Sequence, residues 1–363
     1  MINVNKPFLP PISEFNNYLE TIWNNNWLTN RGPLVQKFED LYKSNYGLKN
    51  LLFVNNGTIA LQLALKALNI SKEVITTPFS YVATTNAILW EKCTPVYCDI
   101  NPETFNIDEN KIEEKITPNT ECILATHVFG TPCNVKELER IAKKHDIKLI
   151  FDAAHCHGTL YNSESILLSG DISTISFHAT KLFHTIEGGG LIANNTQIHD
   201  KLVALHNFGH LTPHSFNCSG INGKVSEFHA AMGLSNFKYD EIIKEKRNRQ
   251  WSKYYDGLQH VKSLKFQCVS SEEFKVNHAY FPIIFKDEIE LLKIVDVLAK
   301  YHIYPRRYFS PSLNLLSYLP KEAKTNCQIS ESISQRVLCL PLYYTLDCNS
   351  QDLIIKLITE AID

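Results

Sequence analysis

The sequence predicts an α/β fold with two parts: a large domain built on a mainly parallel sheet and a smaller C-terminal α/β domain. From about residue 50, short apolar or β-branched runs alternate with segments of helical periodicity, which is typical of a parallel sheet with helices on both faces. Beyond about residue 225 this alternation stops, and a long helical stretch leads into a second, shorter set of strand-like and helix-like segments.

Seven apolar runs are predicted as the strands of the large sheet. They are "LLFV" (51–54), "EVITTP" (73–78), "TPVYCDI" (94–100), "CILATHV" (122–128), "KLIFDAA" (148–154), "STISFH" (173–178) and "GLIAN" (190–194). Helices are predicted between several of these runs, at "TIALQLALKALN" (58–69), "NAILWEK" (86–92) and "VKELERIAKKHD" (135–146). The first 45 residues are predicted to form an arm and one helix beside this sheet.

The C-terminal third is predicted to begin with one long helical stretch over residues 225–258. Strands at 279–285 and 337–344, with a helix at 287–302, then predict a small α/β domain that ends in a helix. The polar segment 207–223 is predicted to be a functional loop rather than a linker, since it carries glycine and proline between the two patterns.

The domain boundary follows from this change of pattern. Residues 1–240 are predicted to form the N-terminal arm and the large domain, and residues 241–363 the small domain. A chain of 363 residues is long enough for two domains of common size.

The composition is that of an ordinary globular protein and argues against two classes of partner. Hydrophobic residues make up 44% and charged residues 20%, and the formal net charge is −2 with both signs interspersed. The lack of basic blocks speaks against a nucleic-acid or membrane-surface partner, and no apolar run is long enough to span a bilayer. The start "MINVNKPFLPPISEF" lacks the pattern of a secretory signal, so we expect a cytoplasmic protein.

Ten cysteines are scattered along the chain, and none forms a C-x-x-C pair. In a reducing cytosol we expect them to be free thiols. The segment "DAAHCHG" (152–158) clusters possible metal ligands, but adjacent ligands usually point apart and no second cluster completes a four-coordinate site. We therefore predict no metal site.

Candidate binding residues follow the predicted strands at their carboxyl ends, where open α/β sheets bind ligands. Gly57 and Thr58 come just after "LLFV" and open a helix, so a tight glycine turn can present free N–H groups and the positive helix end to a phosphate. Tyr81 follows "EVITTP", where its ring either stacks on a planar ligand or packs in the core. Neither feature identifies a site alone, because strand-to-helix glycine turns are common.

Three further residues complete a chemically coherent set. Asp152 ends an apolar run, where a buried carboxylate needs a partner such as a protonated ring nitrogen. Ser176 follows "STI", and Lys181 comes five residues later. A phosphate turn, an aromatic ring, a carboxylate and a lysine amine are the requirements of pyridoxal 5'-phosphate (PLP). Their order along the strand ends predicts a PLP site with Lys181 as covalent anchor and as general acid and base.

At these residues the chain resembles the DegT-type sugar aminotransferases, which have the large-domain fold of aspartate aminotransferase (PLP fold type I). The resemblance extends from "WLTNRGP" near the start to "LCLPLYY" near the end, so it covers nearly the whole chain. It is carried by "NNGTIALQLAL" (55–65), "EVITTPFSYVAT" (73–84), "HVFG" (127–130), "DAAHCHG" (152–158), "SFHATKLFHTIEGGG" (176–190) and "GINGKVSEFHAA" (220–231).

The resemblance implies a role for each candidate residue. Lys181 carries PLP, Asp152 binds the pyridine nitrogen and Tyr81 stacks on the ring, while the phosphate contacts are Gly57, Thr58 and Ser176. The resemblance also implies a homodimer with active sites shared across the interface.

Three more residues take their expected roles from the family. Asn222, in the "GINGK" loop, reaches the phosphate of the other subunit. His155 stands where many relatives have glutamine, near the ring hydroxyl. His178 either assists near the substrate or has a structural role.

The substrate expectation rests on the segments "PFLPPISEFNNYLETIWNNNWLTNRGP" and "RRYFSPSL" (306–313), which are similar to one branch of the family. That branch uses L-glutamate as amino donor and dTDP-4-dehydro-6-deoxy-D-glucose as acceptor. Its product, dTDP-4-amino-4,6-dideoxy-D-glucose, is used in the O-antigens of lipopolysaccharide.

Candidate substrate contacts lie in these two segments. Arg306 and Arg307 suit a diphosphate, since guanidinium groups match phosphate oxygens, although two solvated arginines fit the sequence equally well. Trp27, Thr29 and Arg31 are candidates for the sugar side.

Two alternatives stay open at this stage. A related branch of the family makes 3-amino-3,6-dideoxyhexoses from 3-keto sugars, and some members were first described as regulators. Relatives that replace the lysine with histidine perform dehydration, whereas the lysine at position 181 favours transamination.

Overall fold

The computed structural model describes residues 1–362, and its central feature is a seven-stranded sheet formed by the seven predicted runs. The strands of this sheet are β1 (Leu52–Val54), β2 (Glu73–Thr76), β3 (Thr94–Tyr97), β4 (Thr120–Thr126), β5 (Lys148–Asp152), β6 (Ile172–Ser176) and β7 (Gly189–Ile192). Their spatial order is β1-β7-β6-β5-β4-β2-β3. Only β7 runs antiparallel to its neighbours, so the prediction of a mainly parallel sheet is confirmed.

Eleven helices lie around this sheet and the C-terminal part within the described chain. They are α1 (Ile12–Asn25), α2 (Pro33–Tyr46), α3 (Gly57–Ala67), α4 (Val82–Trp90), α5 (Val135–His145), α6 (Thr196–Leu205), α7 (Glu227–Phe237), α8 (Asp240–Leu258), α9 (Glu288–Lys300), α10 (Gln328–Arg336) and α11 (Cys348–Ile362). The predicted segments 58–69, 86–92 and 135–146 correspond to α3, α4 and α5.

The large sheet is covered on both faces, and most positions of its strands are buried. In β4, Cys122 and Leu124 face a core that also contains α3, α4 and α6. The alternate residues Ile123 and Ala125 face a second core with α2, α5 and α7. Successive strand residues point to opposite faces, so a strand buried on both sides has no polar alternation.

The C-terminal part has its own core around a three-stranded antiparallel sheet. Its strands are β8 (Lys265–Phe266), β9 (Pro282–Ile284) and β10 (Val337–Cys339), paired in that order. Helices α8, α9 and α11 pack against this sheet through residues such as Tyr254, Ile294 and Ile358. The domain boundary at 240/241 stays a prediction.

Shorter strand pairs tie distant segments together. Ile2–Asn3 pairs with Ile303–Tyr304, Leu160–Tyr161 pairs with Glu164–Ser165 and Phe274–Lys275, and His210–Thr212 pairs with Ser215–Phe216. The last pair forms a hairpin inside the predicted loop 207–223.

The structure differs from two expectations about helices. The stretch 225–258 is not one helix: α7 ends at Phe237 and α8 begins at Asp240. Tyr239, between the two helices, leaves helical geometry (φ −109°, ψ 1°) and packs on Phe8, while the Asp240 carboxylate joins a buried hydrogen-bond network.

The N-terminal 45 residues contain two helices rather than one. Asn26 ends α1 in the left-handed conformation (φ 50°), and Pro33 opens α2, where a missing N–H costs nothing. No helix in residues 1–362 combines the length and the apolar character needed to cross a bilayer.

Candidate active site

A cavity of about 600 Å³ lies at the carboxyl ends of the parallel strands. Nine of the residues predicted from sequence line it: Gly57, Thr58, Tyr81, Asp152, His155, Ser176, His178, Lys181 and Arg306. They come from separate strand ends and loops, and the fold brings them together as the strand-end rule requires.

An anion-binding cradle lies at the start of α3. Asn56 caps this helix by accepting a hydrogen bond from Ile59 N at 2.9 Å. The N–H groups of Gly57 and Thr58 have no acceptor within the helix, because they belong to its first turn. A Cβ atom on Gly57 would stand 3.1 Å from the Cβ of Ser176. Glycine therefore allows the helix start and the Ser176 hydroxyl to converge on one point, as a phosphate group requires.

Asp152 ends β5 as a carboxylate that is only 5% exposed. Oδ2 accepts a hydrogen bond from Thr84 Oγ1 at 2.7 Å, and Oδ1 accepts one from Ala154 N at 3.1 Å. Burial raises the pKa of Asp152, while these two donors and the Lys181 charge act in the opposite direction. A cationic ligand in the cavity would give this buried charge the partner that it needs.

Lys181 lies in the loop that follows β6 and faces the same cavity. Its backbone N–H donates to His178 O at 2.9 Å, which closes a turn. Burial lowers the pKa of Lys181 to about 8, partly offset by the negative charge of Asp152. About a tenth of the amine is therefore neutral at pH 7, far more than for a lysine with the ordinary pKa of about 10.4, and the neutral form is the one that a nucleophilic lysine requires.

The comparisons with known proteins agree with this geometry. Residues 12–359 match the DegT/DnrJ/EryC1/StrS aminotransferase family. The chain belongs to this family. The match spans nearly all of the chain, so the family assignment covers both the large sheet and the C-terminal part.

Three relatives illustrate the likeness. The chain is 37% identical to a dTDP-4-amino-4,6-dideoxy-D-glucose transaminase of Shigella dysenteriae, over 99% of this chain and 98% of the relative. It is also 37% identical to the Escherichia coli protein of the same name, over 98% and 96%. Among solved structures, DesI in the presence of its TDP-sugar product aligns with a TM-score of 0.94 at 28% identity, over 99% of this chain and 93% of DesI. The predicted PLP fold type I is thereby confirmed.

The predicted site residues outside the cavity are placed as follows. Asn222 lies in the loop that runs beside β1 and pairs with Asn207. The Trp27 indole donates to Thr29 O at 2.5 Å, and the Arg31 guanidinium bonds the buried Glu39 carboxylate at 2.8 Å. These contacts leave all of them off the cavity wall of a single chain.

The two adjacent arginines differ sharply. Arg307 donates to Glu288 Oε1 at 2.7 Å and to Gln335 O at 2.8 Å, away from the cavity. Arg306 lines the cavity with its guanidinium over the Tyr308 ring, 5.5 Å from the ring centroid. Within residues 1–362 Arg306 forms no ion pair, so its charge is available to an anionic ligand.

Two histidines on the cavity wall have defined surroundings. His155 stacks on Phe309 with centroids 5.8 Å apart and planes at 6°, and burial lowers its pKa well below the ordinary value. His178 is held by Thr180, whose N–H donates to Nδ1 at 3.2 Å. Nε2 of His178 therefore carries the proton of the neutral ring, and it lies 3.4 Å from Glu187 Oε1.

The segment "DAAHCHG" divides between two environments. His157 turns away from the cavity and bonds Asp240 Oδ1 at 2.7 Å and Tyr42 OH at 3.0 Å. Asp152 bonds Thr84 instead, so these ligand types do not converge. In the described part of the chain, no group of three or more acidic, histidine or cysteine side chains could hold a metal ion.

Several cavity residues were not found from the sequence. Glu187 follows the lysine loop, and Tyr280, Tyr308 and Phe309 reach the cavity from the C-terminal part. Thr84 bonds Asp152 from the first turn of α4. Thr84 does not line the cavity itself, and the only sequence signal for it is its place in the first turn of the helix that follows Tyr81.

Proposed function

We propose that this aminotransferase moves an amino group from L-glutamate to the keto group of dTDP-4-dehydro-6-deoxy-D-glucose. The product of this reaction is dTDP-4-amino-4,6-dideoxy-D-glucose. The observation that carries the proposal is a lysine with a lowered pKa facing the same cavity as a buried carboxylate and a phosphate-type cradle. The choice of sugar is supported by two full-length relatives of that name.

The cavity residues fit PLP by their donor set. The helix start at Gly57 and Thr58, together with the Ser176 hydroxyl, offers donors for a phosphate. A Cβ atom on Gly57 would crowd Ser176 at 3.1 Å, so glycine suits this close approach. Asp152 is a buried acceptor of the kind that a protonated ring nitrogen needs. Tyr81 is 58% exposed and offers a ring face at the opening of the cavity.

The chain's own residues have distinct tasks. When bound, PLP supplies an aldehyde for the amine and a ring that takes up the electron pair released at the donor carbon. Lys181 anchors the cofactor through Nζ and, once displaced, uses the same neutral amine to remove and return protons at the reacting carbon. Asp152 would hold a positive charge at the ring nitrogen, and His155, whose pKa burial lowers well below the ordinary value, would face the bound group from the cavity wall in its neutral form.

We assign the anionic part of the substrate to Arg306, because its charge faces the cavity without an ion-pair partner in the described chain. Arg307 is the matched arginine whose charge is already neutralised by Glu288. His178, oriented by Thr180, is proposed to contact the substrate at the same opening.

The proposed assembly is a homodimer with shared active sites. Trp27, Thr29, Arg31 and Asn222 lie off the cavity of their own chain, so a role for them at the sugar or the phosphate requires a second subunit. The surface near them is apolar: Trp27 is 49% and Phe208 48% exposed. Apolar side chains of this size on a surface are typical of an interface.

The proposed cellular context is the cytoplasm and the biosynthesis of O-antigen sugars for lipopolysaccharide. All ten cysteines are free thiols, and most are buried, which fits a reducing compartment. The proposed product belongs to the class of amino sugars used in such glycans.

The test is an amino-transfer assay with purified protein, PLP and L-glutamate. The 4-keto and 3-keto isomers of the dTDP-6-deoxyhexose are offered separately, and 2-oxoglutarate release is followed together with product mass. Turnover of the 4-keto sugar is expected. Turnover of the 3-keto sugar alone would keep the reaction class and overturn the substrate.

Borohydride reduction separates the cofactor from the substrate question. Reduction should fix PLP to the peptide that contains Lys181, and K181A should be neither labelled nor active. A colourless protein that borohydride does not label would favour a non-catalytic, regulatory member of the family instead.

A further inference from the structure

A chain of three buried hydroxyl groups leads through the protein interior to the carboxylate of Asp152. Thr126 Oγ1 lies 3.1 Å from Ser80 Oγ, which lies 2.8 Å from Thr84 Oγ1. Thr84 Oγ1 in turn lies 2.7 Å from Asp152 Oδ2. All three hydroxyl residues are at most 2% exposed, and Ser80 and Thr126 border the cavity from its inner side.

The chain of hydrogen bonds has one direction. A carboxylate only accepts, so Thr84 must donate its single hydroxyl proton to Asp152. Ser80 then donates to Thr84, and Thr126 donates to Ser80. A hydroxyl group that accepts a hydrogen bond becomes a stronger donor, so the bonds from Thr126 and Ser80 strengthen the bond from Thr84 to Asp152.

The position of Thr84 in the chain explains how one short helix serves two purposes. Thr84 N donates to Tyr81 O at 3.2 Å in the first turn of α4. Tyr81 faces the cavity from this turn, and Thr84 points inward to Asp152. Sequence reasoning found the first residue and missed the second.

We propose that Thr84, supported by Ser80 and Thr126, is a positioning residue that fixes the orientation and the charge of the Asp152 carboxylate for a ring nitrogen of the bound cofactor. The proposal rests on the PLP site proposed above. It goes further because it attributes the strength of the contact between the carboxylate and the ring nitrogen to three residues that are distant from Asp152 in the sequence.

The surroundings of Asp152 support this role. Besides Thr84 and Ala154 N, the charged group that acts on the Asp152 carboxylate is Lys181. Within residues 1–362 Lys181 makes neither a hydrogen bond nor an ion pair with Asp152 and acts on it only through its charge, so it does not orient the carboxylate. The hydroxyl chain is then the remaining side-chain donor on Asp152 within the described chain.

Three variants of the apoprotein test the proposal. T84V keeps the side-chain shape and removes the donor, and T84S keeps the donor. T85V is the matched control, since Thr85 is the next residue of α4, equally buried, and bonds Tyr97 OH at 2.9 Å instead. The readout is the dissociation constant of PLP, compared with that of 1-deaza-pyridoxal phosphate, in which carbon replaces the ring nitrogen.

T84V is expected to weaken PLP binding by about tenfold or more, as for loss of a hydrogen bond to a charged group. T84S and T85V are expected to stay within about 1.5-fold of the wild type, since neither loses the hydrogen bond to Asp152. The deaza analogue should bind T84V and wild type equally, because it makes no contact that depends on Asp152. An equal loss for both ligands would mean a merely structural role and would overturn the proposal, as would wild-type PLP affinity in T84V.

The additional variant S80A covers the case in which T84V does not fold. S80A leaves the Thr84 hydroxyl in place and removes its donor, so PLP binding should fall by about threefold while the deaza analogue is unaffected. No change in S80A would then refute the chain of donors. If the wild type itself binds no PLP, the proposed function fails and this proposal fails with it, which distinguishes that outcome from a failure of Thr84 alone.

Discussion

The buried network around Asp240 should contribute strongly to stability, and the substitution D240N tests its size. Asp240 opens α8 and is buried, and its carboxylate bonds His157 Nε2 at 2.7 Å, Tyr46 OH at 2.9 Å and Lys244 Nζ at 3.0 Å. Burial alone would raise the pKa of Asp240, but the charges and hydrogen bonds of His157 and Lys244 hold it well below the ordinary value.

The magnitude follows from these contacts. A hydrogen bond to a charged group contributes about 1.5–3 kcal/mol, so the bonds from His157 and Tyr46 together contribute about 3–6 kcal/mol. The Lys244 contact adds less because this side chain is partly exposed. An asparagine keeps part of the hydrogen bonding, and we expect D240N to cost about 3 kcal/mol, at the lower end for a broken buried pair.

Thermal unfolding is the direct assay, with E241Q as the matched control. A loss of about 3 kcal/mol lowers Tm by roughly 6–12 °C for a unit of about 150–250 residues. Glu241 is the next residue and bonds the same Lys244 at 2.6 Å, but its side chain is 81% exposed, so E241Q should cost about 0–1 kcal/mol. A D240N shift of less than about 2 °C, or an equal shift in E241Q, would refute the reasoning.

The pH dependence of the Tm difference between wild type and D240N tests the sign of the contribution of Asp240 to stability. A carboxylate whose folded pKa is depressed contributes stability that is fully present above its unfolded pKa of about 3.9 and is lost as pH falls toward the folded value. The difference in Tm between wild type and D240N should therefore be constant near neutral pH and shrink below about pH 4. A difference that grows in acid would contradict this assignment.

The remaining predictions concern the cavity. Because burial lowers the pKa of Lys181 to about 8, the rate at which the apoprotein attaches PLP should rise through about pH 8, and a rapid-mixing absorbance trace that is flat from pH 7 to 9 would contradict it. R306A should raise KM for the nucleotide sugar or the amino donor by about tenfold or more, whereas R307A should change KM by less than about threefold; steady-state kinetics with each substrate varied in turn identifies which anion is bound. G57A should weaken PLP binding by about tenfold in equilibrium titration, since its Cβ would crowd Ser176 at 3.1 Å, and wild-type affinity would show that this close approach is not required.

The large sheet and the heart of the cavity were predictable because their signals are local. A strand buried on both faces is a short apolar run, and the residue that follows it at the carboxyl end lies at the ligand-binding edge. Asp152, Ser176 and Gly57 were found in this way. The break between α7 and α8 was missed because the helical pattern of residues 225–258 continues across it. The burial of Asp240, which marks the start of α8, is not visible in the sequence.

The other cavity residues depend on approaches between distant segments. Tyr308 and Phe309 reach the cavity from more than 120 residues beyond Lys181, and no local pattern reveals that contact. The choice between Arg306 and Arg307 was equally hidden, because neighbouring residues in an extended segment point to opposite sides. In the structure, Arg306 lines the cavity and Arg307 forms an ion pair with Glu288 away from it.

The segment 152–157 joins the cavity to the frame of the molecule, and the two networks that hold it explain its mixture of residue types. At one end Thr84 fixes the Asp152 carboxylate, which faces the cavity. At the other end Asp240 and Tyr42 hold the His157 ring, which faces away from it. A site that binds a rigid ring needs its carboxylate fixed within a fraction of an ångström. The pairing of Asp152 with Thr126 and Thr174 in the sheet fixes the backbone of this residue but not its side chain. Side-chain hydrogen bonds at both ends of the segment fix the carboxylate and the His157 ring, so we attribute the polar character of "DAAHCHG" to support as much as to catalysis.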